Sequence, residues 1–244
     1  MILKPFYYYD TGCAAYVLGC GTLGKCAVVD PQERDTESYL AFAAAKGMRI
    51  THIIDTHVHA DHRSGGRALA AHTGARYCLH GSAAVAFPYE PLVDGQEIEL
   101  GNTRLRVLHT PGHTPESLCL VVTDLRRAPE PWFVLTGDTL FVGAVGRPDL
   151  PGRVVENAAE LFDSIQGKIL PLPATLEVLP AHFSGSRCGA GLSGKPTSTL
   201  GFETRFNPLL SASRDEFVAQ VSAGIPPGPA EMDAILRFNQ GWPE

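Results

Sequence analysis

The chain has 244 residues, 44% hydrophobic and 19% charged, a size and balance that can bury a sizeable core and exclude a disordered chain. Its formal net charge of −6, with no run of Lys or Arg able to track a phosphate backbone, argues against a nucleic-acid partner. No apolar run approaches the roughly 20 residues of a membrane helix, the start lacks signal or transit character, and the six cysteines are too sparse for a disulfide framework. A cytoplasmic location with no membrane partner is the expectation.

In chain order, Phe6 to Tyr9, Ala14 to Leu18 and Cys26 to Val29 alternate with glycine turns and predict an antiparallel meander ending at Asp30-Pro31. Glu33 to Lys46 predicts a helix stopped by Gly47, and the apolar strand Ile50 to Asp55 follows. Gly66 to His72 reads as a helix ending at Gly74, and Arg76 to Leu79 as a short strand. Glu97 to Leu100 and Arg104 to Leu108 flank Gly101-Asn102 as a hairpin. Strands Leu118 to Thr123 and Trp132 to Leu135, a helix from about Val154 to Ile165 and a strand Leu176 to Leu179 come next. The remainder is rich in Gly, Ser and Pro until two short helices, about Arg214 to Val221 and Glu231 to Asn239. This order fits an α/β fold: an αββα sandwich, two β-sheets face to face with helices outside, in one domain over residues 1–244.

Chemistry concentrates at strand ends. Immediately after Ile50 to Asp55 come His57, His59, Asp61 and His62. A turn at Thr56 lets His57 and His59 point one way and Asp61 and His62 toward a neighbouring position. Imidazole nitrogens and a carboxylate suit zinc, iron or manganese, and the absence of cysteine from the cluster argues for an open, reactive metal over a closed structural zinc. Three further strand ends carry His113, Asp138 after Gly137, and His182 after Pro180-Ala181. His52, His72, His80 and His109 fall outside this pattern and read as structural or exposed.

This set, in this order, resembles the metallo-β-lactamase fold superfamily, and the resemblance covers nearly the whole chain. It implies that His57, His59 and His113 surround a first metal, that Asp61, His62 and His182 hold a second, and that Asp138 lies between them. One branch, the persulfide dioxygenases, is similar in keeping all these side chains while using a single iron. The resemblance to that branch implies one Fe(II) per chain on His57, His113 and Asp138, with His59, Asp61, His62 and His182 orienting the ligands or marking a second metal site. Gly146-Arg147-Pro148-Asp149-Leu150 resembles the Gly-Arg-x-Asp-Phe/Leu signature of these enzymes. Ser184 to Gly189, with Ser198 to Glu203 and Asn207-Pro208, looks like the bacterial dioxygenases often fused to rhodanese domains. Human-type members lack the Gly-Ser-x-Cys-Gly insertion, which lies where it could line the pocket.

The implied reaction is oxidation of glutathione persulfide, or a similar small thiol persulfide, by O2 to sulfite and free thiol. Catalytic roles fall to Asp61, His62, Arg147 and Asp149, although Arg147 and Asp149 could equally pair with each other and fix their loop. Substrate contacts are expected from Arg187, Cys188 and Arg205, in a substrate-side extension over residues 183–244. A rhodanese or a sulfide:quinone oxidoreductase is the implied functional partner, and the assembly a homodimer. The competing expectation is a thioester hydrolase of glyoxalase II type with two Zn(II) per chain.

Overall fold

The computed structural model describes residues 1–150, 152–186, 191–223, 225 and 230–242. In chain order its first sheet is built from β1 (Ile2–Tyr8), β2 (Cys13–Cys20), β3 (Lys25–Val29), β4 (Arg49–Ile54), β5 (Arg76–His80) and β6 (Glu90–Leu92), hydrogen-bonded in that same order. The β1 to β3 portion is an antiparallel meander, as the glycine turns predict, and β3 through β6 pair in parallel. The second sheet runs from the edge strand β7 (Glu97–Leu100) through β8 (Thr103–His109), β9 (Leu118–Asp124), β10 (Phe133–Gly137) and β11 (Glu177–Pro180) to β12 (Ser198–Thr199). Only the β10 and β11 pair in it is parallel, among the described residues.

Why the sheets stack is visible in β2, which is buried along its whole length. Ala14, Tyr16 and Leu18 face inward and meet Leu105, Leu120 and Phe133 of the second sheet. The intervening Ala15 and Val17 face outward and are covered by Tyr39 and Ala43 of α1 (Thr36–Ala45) and Leu69 of α2 (Gly66–Thr73). With both faces covered, a continuous apolar run replaces the alternating pattern of a half-exposed strand. On the far side, α3 (Val154–Ser164), α4 (Leu200–Phe206) and α5 (Arg214–Ser222) close the second sheet through Leu161, Leu200 and Phe217. The helix α6 (Met232–Gln240) ends the described chain. No described helix is long and apolar enough to cross a membrane.

The structure departs from the sequence expectation in small elements. The helix predicted from Glu33 begins as a 3-10 turn, Glu33–Asp35, before α1. The three-residue β6, the two-residue β12 and helix α4 were not expected. Strands this short carry no periodicity, and α4 is announced only by its cap, Thr199, whose side chain accepts from the Phe202 amide.

The two sheets meet along a seam at one edge. The Leu118 amide donates to the Thr56 carbonyl at 2.8 Å, Ala14 to Ala181 at 2.7 Å, and the Tyr16 hydroxyl to the Pro180 carbonyl at 2.7 Å. With β10 paired to β11, these contacts bring the ends of β4, β10 and β11 and the turn between β8 and β9 together, the four places where the sequence carries its candidate ligands.

Candidate metal centre

The loop after β4 is shaped by Asp30, at the end of β3. Asp30 is buried and has a left-handed backbone, φ 51°, a conformation Asp tolerates better than most residues. Its carboxylate accepts from the Thr56 amide at 2.7 Å and the Thr56 hydroxyl at 3.0 Å, and lies 3.1 Å from His59 Nε2. Holding Nε2 leaves His59 Nδ1 to face the centre. Glu116 adds a second tether by accepting from the Val58 amide at 2.9 Å.

His113 is set in the same manner from behind. Its Nδ1 donates to the Arg147 carbonyl at 2.8 Å, which turns Nε2 toward Asp138, 3.3 Å from Oδ2. Asp138 follows Gly137, where a Cβ would lie 2.6 Å from the Thr56 hydroxyl, so the β10 end and the β4 loop can approach only without a side chain there. The other Asp138 oxygen lies 2.6 Å from His182 Nδ1. His182 Nε2 in turn lies 2.8 Å from Asp61 Oδ2, so both nitrogens of that ring face carboxylates.

Three groups of potential ligands result: His57, His113 and Asp138, all buried; Cys13, Asp61, His62 and His182; and Asp30, Asp55 and His59. Seven buried atoms in them have no hydrogen-bond partner, namely Asp55 Oδ1, His57 Nε2, His59 Nδ1, Asp61 Oδ1, His62 Nε2, His113 Nε2 and Asp138 Oδ2. Buried polar atoms are almost always paired, and seven orphans from three chain segments at one seam are what a metal centre of nitrogen and oxygen donors requires. The residues present fit a bound metal.

Electrostatics prepare the donors. Burial, reinforced by His59, holds His57 well below the usual imidazole range, so it is neutral and its nitrogen lone pair free. For Asp138 burial opposes ionisation, but the imidazole of His182, hydrogen-bonded to it, outweighs this and holds the carboxylate below its usual range. Burial likewise works against charge on His62, yet Asp61 beside it raises the imidazole to about 10, so His62 must give up a proton before Nε2 can bind a metal.

The residues named from the sequence are only partly brought together. His57, His59, Asp61, His62, His113, Asp138 and His182 converge. Arg147 and Asp149 pair with each other through two contacts, 2.6 and 2.7 Å, with Arg147 buried. Arg205 lies on the exposed side of α4 with its guanidinium 5.1 Å from the Phe206 ring centroid. Arg187 and Cys188 lie outside the described residues. Three members of the ligand groups, Cys13, Asp30 and Asp55, are not singled out by the sequence. Cys13 enters from β2, its thiol donating to Asp61 Oδ2 at 3.3 Å, so the second group does contain a cysteine. Asp30 left a weak signal, a carboxylate ending an apolar strand as Asp55 does. Asp30→Asn keeps the shape and removes the charge behind His59; metal affinity is expected to fall about 10–100-fold, measurable by chelator competition.

The model of the Metallo-beta-lactamase superfamily matches residues 8–182, a span that contains every ligand candidate above. The chain belongs to this superfamily. Within it, the chain is 35% identical over 228 residues to a hydroxyacylglutathione hydrolase of Anaeromyxobacter dehalogenans, covering 92% of this chain and 79% of that one. It is 28% identical over 239 residues to the mitochondrial persulfide dioxygenase ETHE1 of Bos taurus, covering 98% and 87%. Among solved structures it superimposes on a metallo-beta-lactamase from Staphylococcus aureus with TM-score 0.92 and 35% identity, over 98% of this chain and 72% of that one. On ETHE1 from Myxococcus xanthus the TM-score is 0.85 and the identity 28%, over 98% of both chains. The superfamily fold is therefore common ground, while the relatives' names carry two different chemistries.

Proposed function

We propose that this protein is an iron-dependent persulfide dioxygenase, which converts a small thiol persulfide, water and O2 to sulfite and the free thiol. The observation that carries this reading is the state of His182. With Nδ1 against Asp138 and Nε2 against Asp61, its ring is engaged at both ends, while His57, His113 and Asp138 keep unpartnered atoms that face one another. Two histidines and one carboxylate form the ligand set of non-haem Fe(II) oxygenases, which leaves positions open for substrate and dioxygen. The similarity to persulfide dioxygenases across nearly the whole chain, and the Gly146 to Leu150 motif, support the same reading.

Iron, when bound, would supply the redox chemistry that joins both oxygen atoms to the terminal sulfur. The chain's own contribution is positional. The Arg147 carbonyl fixes the orientation of His113, the Arg147–Asp149 pair holds the loop that bears that carbonyl, and burial of the three ligands keeps bulk water out. A cleft of about 240 Å³ bounded by Val58, Pro115, Glu116, Leu150 and Leu236 borders the ligand loops and is our candidate berth for the thiol carrier, glutathione or a relative of it.

A second reading is supported by the unpartnered Asp61 Oδ1 and His62 Nε2 and by the 35% identity to a hydroxyacylglutathione hydrolase. It makes the protein a thioester hydrolase with two zinc ions. Oxygen uptake with sulfite analysis separates the two. Protein reconstituted anaerobically with Fe(II) and given glutathione persulfide is expected to consume O2 and release one sulfite per O2, and the zinc-loaded protein to do neither. No uptake with iron, together with thioester cleavage by the zinc form, would reverse the assignment.

A further inference from the structure

We propose that Asn239, on the C-terminal helix α6, is a positioning residue that sets the geometry of the metal-binding loop. Its side chain is buried, 5% exposed, against a loop 175 to 180 positions earlier in the chain. The amide nitrogen donates to two carbonyls, those of His59 and His62, each at 2.8 Å. The amide oxygen accepts from the Ser64 amide at 2.8 Å. One side chain thus spends both of its N–H groups and its oxygen on the loop, and none on its own helix.

The backbone it grips needs such a partner. Between β4 and α2 the chain is neither helix nor strand, so buried carbonyls there that no backbone amide reaches must be satisfied by side chains. The two carbonyls chosen belong to ligand candidates whose side chains enter the centre. Fixing a residue's peptide plane restricts where its imidazole can reach, which makes Asn239 the counterpart, from the solvent side, of Asp30 from the core side.

The helix is seated to do this. Residues on both sides of Asn239 are tied to the same face: Phe238 accepts from Arg67 through its carbonyl at 2.6 Å, and Gln240 accepts from the Ala86 amide at 2.7 Å. The guanidiniums of Arg63 and Arg67 stand 4.4 and 4.9 Å from the centroid of the Phe238 ring. Arg63 and Arg67 flank the loop's exit into α2. Three consecutive residues therefore anchor the C-terminal helix, the outer two on α2 and on the connection between β5 and β6, and the middle one inside the metal loop.

The inference rests on the loop being a metal centre and is independent of which reaction the metal serves. In the test, Asn239→Asp keeps the acceptor for Ser64 and replaces the donor by an oxygen facing two carbonyls. Cobalt(II) affinity and the visible spectrum of the cobalt-loaded protein are compared among wild type, N239D and Phe217→Leu, a core substitution on the remote helix α5. We expect N239D to weaken cobalt binding on the order of tenfold or more and to shift the ligand-field bands, while F217L lowers the melting temperature and leaves both unchanged. Loss of affinity in proportion to melting temperature in both variants would overturn the inference, and so would an unchanged spectrum in N239D. Should N239D fail to fold, amide exchange of the wild type decides. Coupling is reciprocal, so metal loading must slow exchange at Ser64 and in α6; exchange there that ignores the metal would overturn it. A wild type that takes up no metal would instead sink the metal-centre reading itself.

Discussion

Asp138→Ala protein is expected to purify without metal and without turnover, whereas Asp61→Ala protein keeps one metal and loses activity only in part. Asp138 is the anionic member of the His57, His113 and Asp138 group, and its two oxygens serve both that group and His182. Its removal takes away the charge that balances a bound cation in a fully buried site. Removing one partner of a buried charged pair costs about 3–5 kcal/mol, and at about 1.4 kcal/mol per decade the metal affinity drops by roughly two to three and a half decades. Asp61 belongs to the other group, with Cys13, His62 and His182. Its loss takes a carboxylate away from His182 Nε2 but leaves every atom of the first group in place. Metal analysis of the two variants side by side checks this. Loss of all metal and all activity in Asp61→Ala would mean that two ions act together and would favour the hydrolase.

Gly146→Ala is expected to be nearly as damaging although it removes nothing. A Cβ at Gly146 would stand 1.9 Å from the Asp138 carbonyl oxygen and 3.2 Å from His113 Cβ. The obstacle is backbone, which cannot swing aside as a side-chain end can. The loop must retreat, and the residue that retreats with it is Arg147, whose carbonyl holds His113 Nδ1. Overpacking of this kind costs about 1–3 kcal/mol of stability, and a displacement near 1 Å in a catalytic group costs about a hundredfold in rate. The melting temperature should fall by several degrees and turnover by about two decades. A Gly146→Ala protein with wild-type metal content and turnover would show that the loop accommodates the methyl group without moving His113. This gives a physical meaning to the first residue of the Gly-Arg-Pro-Asp-Leu motif. The glycine is there for space, the arginine for its carbonyl and its ion pair, and Asp149 to hold the arginine.

Much of the site was open to sequence reasoning because its ligands are locally dense and follow apolar strands. His57, His59, Asp61 and His62 crowd into one turn, and His113, Asp138 and His182 each sit at the end of a predicted strand. Cys13, Asp30, Glu116 and Asn239 share no such local signal. Each is a single residue whose importance comes from a partner far along the chain: Cys13 from Asp61, Asp30 from Thr56 and His59, Glu116 from Val58, Asn239 from the same loop. Apart from the apolar strand that Asp30 ends, nothing in their neighbours distinguishes them from an ordinary buried thiol, a turn aspartate or a helix asparagine.

By itself, then, the sequence determined the main elements, that they stack as two sheets with helices outside, and which residue types gather at the strand ends. Those properties are written in periodicity, turn residues and ligand chemistry, all of which act over a few residues. Tertiary structure alone decided how the donors divide. It put His182 between two carboxylates, brought Cys13 into the second group, turned His113 through a backbone carbonyl and set a C-terminal asparagine into the metal loop. These are questions of angstroms and of which lone pair faces which hydrogen, and they are fixed only when segments up to 180 positions apart are packed against one another.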